Sequence, residues 1–213
     1  MRIIYLLAAA MMFFTSCNNS GSGQTFCDTT CRKDSFHFRA NNQLNSIVSI
    51  GVKDCIADTL MWTHNRMDFS NQMAMKDLAK QDVRLNEQFI SCVIQDTVQA
   101  WLTFNDCVSG RGFLFKLPFG KKSGISQITG AINDFDPKFS VEEKLRAYTD
   151  RGSIFVINIE TGAQEMMTFK EQYDIDFNKI HEVVDSVNIT SKRIYVKLLN
   201  GGKEVPLEKN INL

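Results

Sequence analysis

The chain has 213 residues, 44% of them apolar, with 24 basic and 24 acidic side chains. That apolar share can supply a packed core, which excludes intrinsic disorder, and the length suits one ordinary domain. The balanced charge leaves no basic stripe, so nucleic-acid binding has no electrostatic footprint, and no polybasic run would hold anionic lipid.

The first element is an export segment. Arg2 supplies a positive start, and Ile3 to Phe14 form an unbroken run of apolar and small residues. The run is too short to span a bilayer, which takes about 20 apolar residues, and it fits the roughly 7–15-residue core of a cleavable signal. Phe14-Thr15-Ser16-Cys17 then resembles the bacterial lipoprotein signal, an apolar residue and two small ones before the cysteine that receives lipid. Phe14 stands where that family most often has Leu. The resemblance implies a signal over residues 1–16, an acyl anchor such as palmitate on Cys17, and attachment to a cell-envelope membrane. Asn18 replaces the Asp that can retain such proteins in the inner membrane, which points to the outer one. All of this is an address and not an activity.

Asn18 to Gln24 has no apolar residue to bury and reads as a flexible leash. Residues 17–33 are therefore expected to be anchor and tether, and residues 34–213 the folded domain. Five cysteines follow the lipid site, and an oxidising envelope permits disulfides among them. The expected pairs are Cys27 with Cys31, close in sequence, and Cys92 with Cys107, in neighbouring predicted strands, with Cys55 buried and free. Cys27-Asp-Thr-Thr-Cys31 is also similar to the CxxxC copper loop of Sco-like proteins, where soft thiolates suit the metal. That family sets the loop between an apolar strand and a helix. Here a Gly/Ser linker precedes it, Asp34-Ser-Phe-His-Phe38 follows, and Arg32 takes the place of the usual Pro. A structural disulfide is the expectation, and no cofactor or metal residue is assigned.

Along the domain, Asp followed by Ser or Thr opens apolar runs at Asp34, Asp58, Asp96 and Asp185, as turn chemistry would. Ser70 to Gln81 reads as a short helix with Ser70 as N-cap and Met75, Leu78 and Ala79 on one face. A repeat then dominates. Arg111-Gly-Phe-Leu-Phe115 recurs as Arg151-Gly-Ser-Ile-Phe155 and more loosely as Lys192-Arg-Ile-Tyr-Val196, while Asp134-Phe-Asp136 maps onto Asp174-Ile-Asp176. Two hairpins close the chain, turning at Glu160-Thr-Gly162 and at Asn200-Gly-Gly202. Four units follow, over residues 34–84, 85–127, 128–168 and 169–213. The fold class expected is all-β, of antiparallel sheets in four repeats with a resemblance to propeller blades, a β-sandwich or curled meander being the alternative.

No catalytic constellation emerges. Asp174 to Asp185 sets oxygen ligands at EF-hand-like spacing, but Lys179 replaces the bend glycine and Asp185 the bidentate Glu, so a solvated turn is the better account. His37, His64 and His181 are scattered. Ser123 and Ser126 belong to a Gly/Lys turn. Glu142 and Glu143, adjacent in a predicted strand, should point to opposite faces. Trp62, Trp101, Phe113 and Phe115 are expected to fill a core. The function expected is a lipid-anchored envelope module that binds a protein, peptide or glycan through its loops. The alternatives are an envelope hydrolase whose acids converge only in three dimensions, and a thiol or copper protein using Cys27 and Cys31.

Overall fold

The computed structural model describes Cys27 and residues 33–95, 98–120, 124–150, 152–169 and 183–213. The export segment, Cys17, Cys31, Ser123, His181 and most of the Asp174–Asp185 segment lie outside the described residues.

The chain is all-β, and the described residues form four sheets of four strands each. The first sheet runs in order through β1 (Phe36–Arg39), β2 (Ile47–Lys53), β3 (Ile56–Thr63) and β4 (Asn71–Ala74), and the second through β5 (Ile90–Gln95), β6 (Gln99–Asn105), β7 (Gly112–Pro118) and β8 (Ser126–Ile128). The third sheet contains β9 (Ala131–Ile132), β11 (Leu145–Asp150), β12 (Ser153–Asn158) and β13 (Gln164–Thr168). The fourth contains β10 (Phe139–Val141), β14 (Val184–Thr190), β15 (Arg193–Asn200) and β16 (Lys203–Asn210). Each repeat thus yields one sheet, with one exchange. β10 leaves the third repeat to pair parallel with β14 in the fourth sheet.

Strand alternation explains how the sheets stack. On β6 and β7, Leu102, Phe104, Phe113 and Phe115 face the first sheet and share a core with Val48, Ile50, Leu60 and Trp62. Their neighbours Trp101 and Leu114 face the other way, onto Ala131 and Ile157 of the third sheet. The third sheet in turn sends Ala147, Ile154 and Val156 into a core with Ile189, Ile194 and Val196 of the fourth. Second and third sheets are therefore covered on both faces, and β7 reads almost continuously apolar. The fourth sheet is covered on one face, and β15 alternates cleanly between buried and half-buried residues.

The repeat has a structural meaning. Phe115, Phe155 and Val196 occupy equivalent places on the third strand of successive units, and each faces the preceding sheet. Phe155 does so stacked on Tyr148, ring centroids 5.0 Å apart. Among the described residues no apolar cluster joins the fourth sheet back to the first. The stacking of the described residues is consistent with the sandwich or meander alternative, with blade-like meanders and no ring closed among them.

Several local expectations change. The Ser70–Gln81 helix is shorter: Asn71–Ala74 form β4, because the open edge of β3 offers a hydrogen-bond ladder, and only Met75–Ala79 are helical as α1. Met75, Leu78 and Ala79 are buried, as the sequence predicts. Ala74, and not Ser70, is the N-cap. Asp58 and Asp185 lie inside β3 and β14 and do not open them, Asp185 falling at a bulge. Glu142 and Glu143 sit beyond β10 in a turn and not in a strand. The Asn200-Gly-Gly202 hairpin forms as expected, Asn200 pairing with Lys203 across glycines at φ 58° and 78°.

Candidate functional site

The cysteines do not pair as the sequence suggests. Cys27 is bonded to Cys107, with Cα atoms 4.4 Å apart, and Cys92 is a free thiol. The strand register explains the correction. Cys92 lies opposite Leu102, so Cys107, five positions on and beyond the end of β6, is on the order of 15 Å away. That exceeds the Cα separation of about 7 Å that a disulfide tolerates. Cys55 is disulfide-bonded too, and not free. It sits in the two-residue turn between β2 and β3 and not in the core. Cys107 is well placed as an anchor. Its N–H donates to the Arg84 carbonyl at 2.8 Å, and the neighbouring Asp106 carboxylate accepts from the N–H groups of Arg84 and Ser109 at 3.0 and 2.9 Å. The bond closes a loop with a sequence separation of 80, worth about 4.5 kcal/mol in a chain-entropy account.

The predicted aromatics fill cores. Phe113 and Phe115 are fully buried, Trp62 donates its indole N–H to the Pro118 carbonyl at 2.8 Å, and Trp101 donates to Gln95 at 3.1 Å. His37 is exposed, and His64 meets Phe119 edge-on. Among the described residues, no three His, Cys, Asp or Glu side chains cluster as metal ligands. No helix among them is long and apolar enough to cross a membrane.

A cavity of about 330 Å³ lies between the second and third sheets. Val93, Ile132, Phe135, Val141 and Leu145 give it an apolar lining, and the polar groups are Ser91, Thr103, Asn133, Asp134, Glu143 and Arg146. Larger depressions beside the Asn41–Leu44 loop open broadly to solvent. Thr103 comes from the face of β6 opposite Leu102 and Phe104. Arg146 comes from the face of β11 opposite Leu145 and Ala147, so each points between the two sheets.

Local structure fixes the rim. Asn133 donates to the buried Asn105 across the two sheets at 2.7 Å and accepts from the Phe135 N–H at 3.3 Å. Phe135 meets Phe89 edge-on at 6.2 Å, which holds the rim against the segment entering β5. Gly112 permits this approach, since a Cβ there would collide with the Ala131 carbonyl. Glu142 and Glu143 diverge as expected, though from a turn. The Glu142 carboxylate accepts from the Ser191 N–H at 2.7 Å, while Glu143 lines the cavity.

Two buried atoms of lining residues are unusual. Thr103 is 4% exposed, and its hydroxyl has no hydrogen-bond partner among the described residues. The Arg146 Nε is likewise buried and unpaired, although Nη1 donates to the Glu143 and Leu145 carbonyls at 2.9 and 2.7 Å. Buried polar atoms without partners cost about 1–3 kcal/mol each, and native proteins keep few of them. Burial lowers the Arg146 pKa, while Asp134, Cys92 and Glu143 oppose that shift electrostatically. An arginine remains a cation under such conditions. Neither Thr103 Oγ1 nor Arg146 Nε has accessible surface, so both lie behind the cavity wall, and the charged groups open to solvent there are the exposed carboxylates of Asp134 and Glu143.

Sequence reasoning reached Asp134 as a repeat match and Glu143 as half of a carboxylate pair. It missed Thr103 and Arg146, which carry no motif. No protein-family model matches the chain, and a comparison with curated proteins finds no match either.

Proposed function

We propose that this protein is a lipid-anchored cell-envelope binding module, tethered through Cys17 at the outer membrane, whose ligand seat is the cavity between the second and third sheets. The observation that carries the reading is a cavity of about 330 Å³ in which apolar residues such as Val93, Phe135 and Val141 stand beside the polar residues Ser91, Asn133, Asp134 and Glu143. Ligand sites are concave, largely apolar and supplied with a few convergent polar groups. The anchor rests on the Phe14-Thr15-Ser16-Cys17 signal. The charged groups of the wall also favour binding over hydrolysis. Both mouth carboxylates come from one repeat and are exposed, which suits charge pairing with a ligand more than a tuned acid–base couple.

The test uses a photo-crosslinking residue in living cells. Val93 lines the cavity, whereas Leu199 lies on the fourth sheet, and both are 36% exposed. A covalent adduct is expected from position 93 and not from position 199, and it should fade when Cys17→Ser releases the protein from the membrane. Equal labelling at both positions, or none at either, would overturn the reading.

A further inference from the structure

Resting on the Cys17 anchor of that reading and not on its cavity, we infer that the Cys107 end of the second sheet is the face the domain lays on the bilayer. Val108 enters the interface among the lipid headgroups, and Arg84 beside it meets their phosphates.

The argument starts from where the tether ends. Cys27 lies ten positions after Cys17, and its disulfide fixes it to Cys107, just beyond the end of β6. The acyl chain therefore holds the domain by this corner. A coil of Gly/Ser-rich composition averages about 18 Å over ten residues and reaches about 36 Å when fully drawn out. Two exposed valines compete for the lipid. Val108 is 69% exposed and Val98 66%, and they flank opposite ends of β6, whose seven residues set them at least about 20 Å apart. Val108 follows Cys107 directly and reaches the bilayer with the tether relaxed. Seating Val98 there instead would lift Cys107 beyond the tether's average span. Charge agrees with the same end. Exposed Arg84 accepts from the Cys107 N–H at 2.8 Å through its carbonyl, which brings a guanidinium within reach of the headgroups that surround Val108, and guanidinium suits phosphate. The nearby Asp106 is buried, and its carboxylate accepts from the N–H groups of Arg84 and Ser109. One valine and one arginine make a weak contact, so the acyl chain retains the protein and this loop sets its orientation.

The test places tryptophan at each end of β6 in the full lipidated protein, bound to vesicles of phosphatidylethanolamine and phosphatidylglycerol. Lipids with brominated acyl chains quench an indole that touches the bilayer, and the buried Trp62 and Trp101 give the background. Both substitutions fall on exposed positions, so Val108→Trp and Val98→Trp should unfold in urea with the wild type. The fluorescence added by Val108→Trp should be quenched by about half or more, and that added by Val98→Trp should be unaffected. Arg84→Glu should reduce the quenching at position 108 while the protein still sediments with the vesicles, and unchanged quenching would overturn the phosphate contact. Equal quenching at both positions, or none at either, in protein that sediments with the vesicles overturns the membrane face and leaves the anchor standing. Protein that fails to sediment with vesicles although Cys17 is intact removes the anchor and the face together.

Discussion

The two interfaces that flank the second sheet share the same strands yet are built differently. Toward the first sheet, β6 and β7 present Leu102, Phe104, Phe113 and Phe115. The Phe104 and Phe113 rings stack at 5.0 Å, and Phe115 meets Phe104 edge-on at 5.3 Å. Toward the third sheet the same strands present Trp101, Thr103, Asn105 and Leu114, with Lys116 lying over the Trp101 ring at 5.4 Å. One interface is filled by rings. The other mixes apolar and polar groups, holds a cavity, and leaves a hydroxyl unpaired. Because successive residues of a strand face opposite ways, one stretch of chain serves two purposes. The filled side supplies stability, and the polar side holds buried atoms whose hydrogen bonds are unmet among the described residues.

The sharpest way to break this contrast is to hollow the filled side. Phe113 is fully buried within the cluster of rings. Phe113→Ala should cost about 3–5 kcal/mol, from lost burial and the cavity left behind. Against a total stability of about 5–15 kcal/mol this is a large fraction. Urea unfolding followed by fluorescence would measure it. A loss below about 1 kcal/mol would mean that the first two sheets do not hold the main core.

Cys92 tests the same boundary through pH. Its thiol packs against the filled core, and burial pushes it from 9.0 up to about 12, with the positive charge of Arg146 pulling the other way. In the unfolded chain the thiol loses its proton near pH 9, whereas in the folded protein it keeps it until about 12. Across that window the unfolded state binds fewer protons, so stability falls as pH rises, by on the order of 1 kcal/mol per pH unit from this group. Below pH 9 the group contributes nothing, because both states hold the proton. Comparing unfolding curves of wild type and Cys92→Ala from pH 8 to 11 isolates the effect. Equal slopes would place the thiol in water and outside the core. The same burial predicts that Cys92 resists alkylation in the native protein at neutral pH.

What the sequence made legible follows from which interactions are local. The period-two runs and the Asn200-Gly-Gly202 turn encode strands and a hairpin within a few residues, so the all-β class and the four units could be read directly. The exchange of β10 could not be read, since Phe139-Ser-Val141 carries nothing that names β14 as its neighbour. Disulfide partners depend on distances in space. Cys92 and Cys107 looked adjacent as strand neighbours, and only the register separates them. The site was hidden for a related reason. In Leu145-Arg-Ala-Tyr-Thr149 the alternation reads as an ordinary sheet with Arg146 toward water. It is the stacking of the second sheet over that face that turns Arg146 inward and makes its unpaired Nε informative. Asp134 and Glu143 were visible as a repeat match and a carboxylate pair, but nothing local joined them to Thr103.

The smallest expected effect is also the most discriminating between the two sides. Thr103→Val keeps the size and branching of the side chain and deletes the hydroxyl, which is buried without a partner. At an ordinary polar site such a change costs stability, because the hydroxyl has bonds to lose. Here there are none among the described residues, so the variant should unfold at a higher urea concentration, gaining roughly 1 kcal/mol. A decrease in stability would show that the hydroxyl already has a partner in the free protein. The interface between the second and third sheets would then be an ordinary polar core, no different in purpose from the one on the other side of β6.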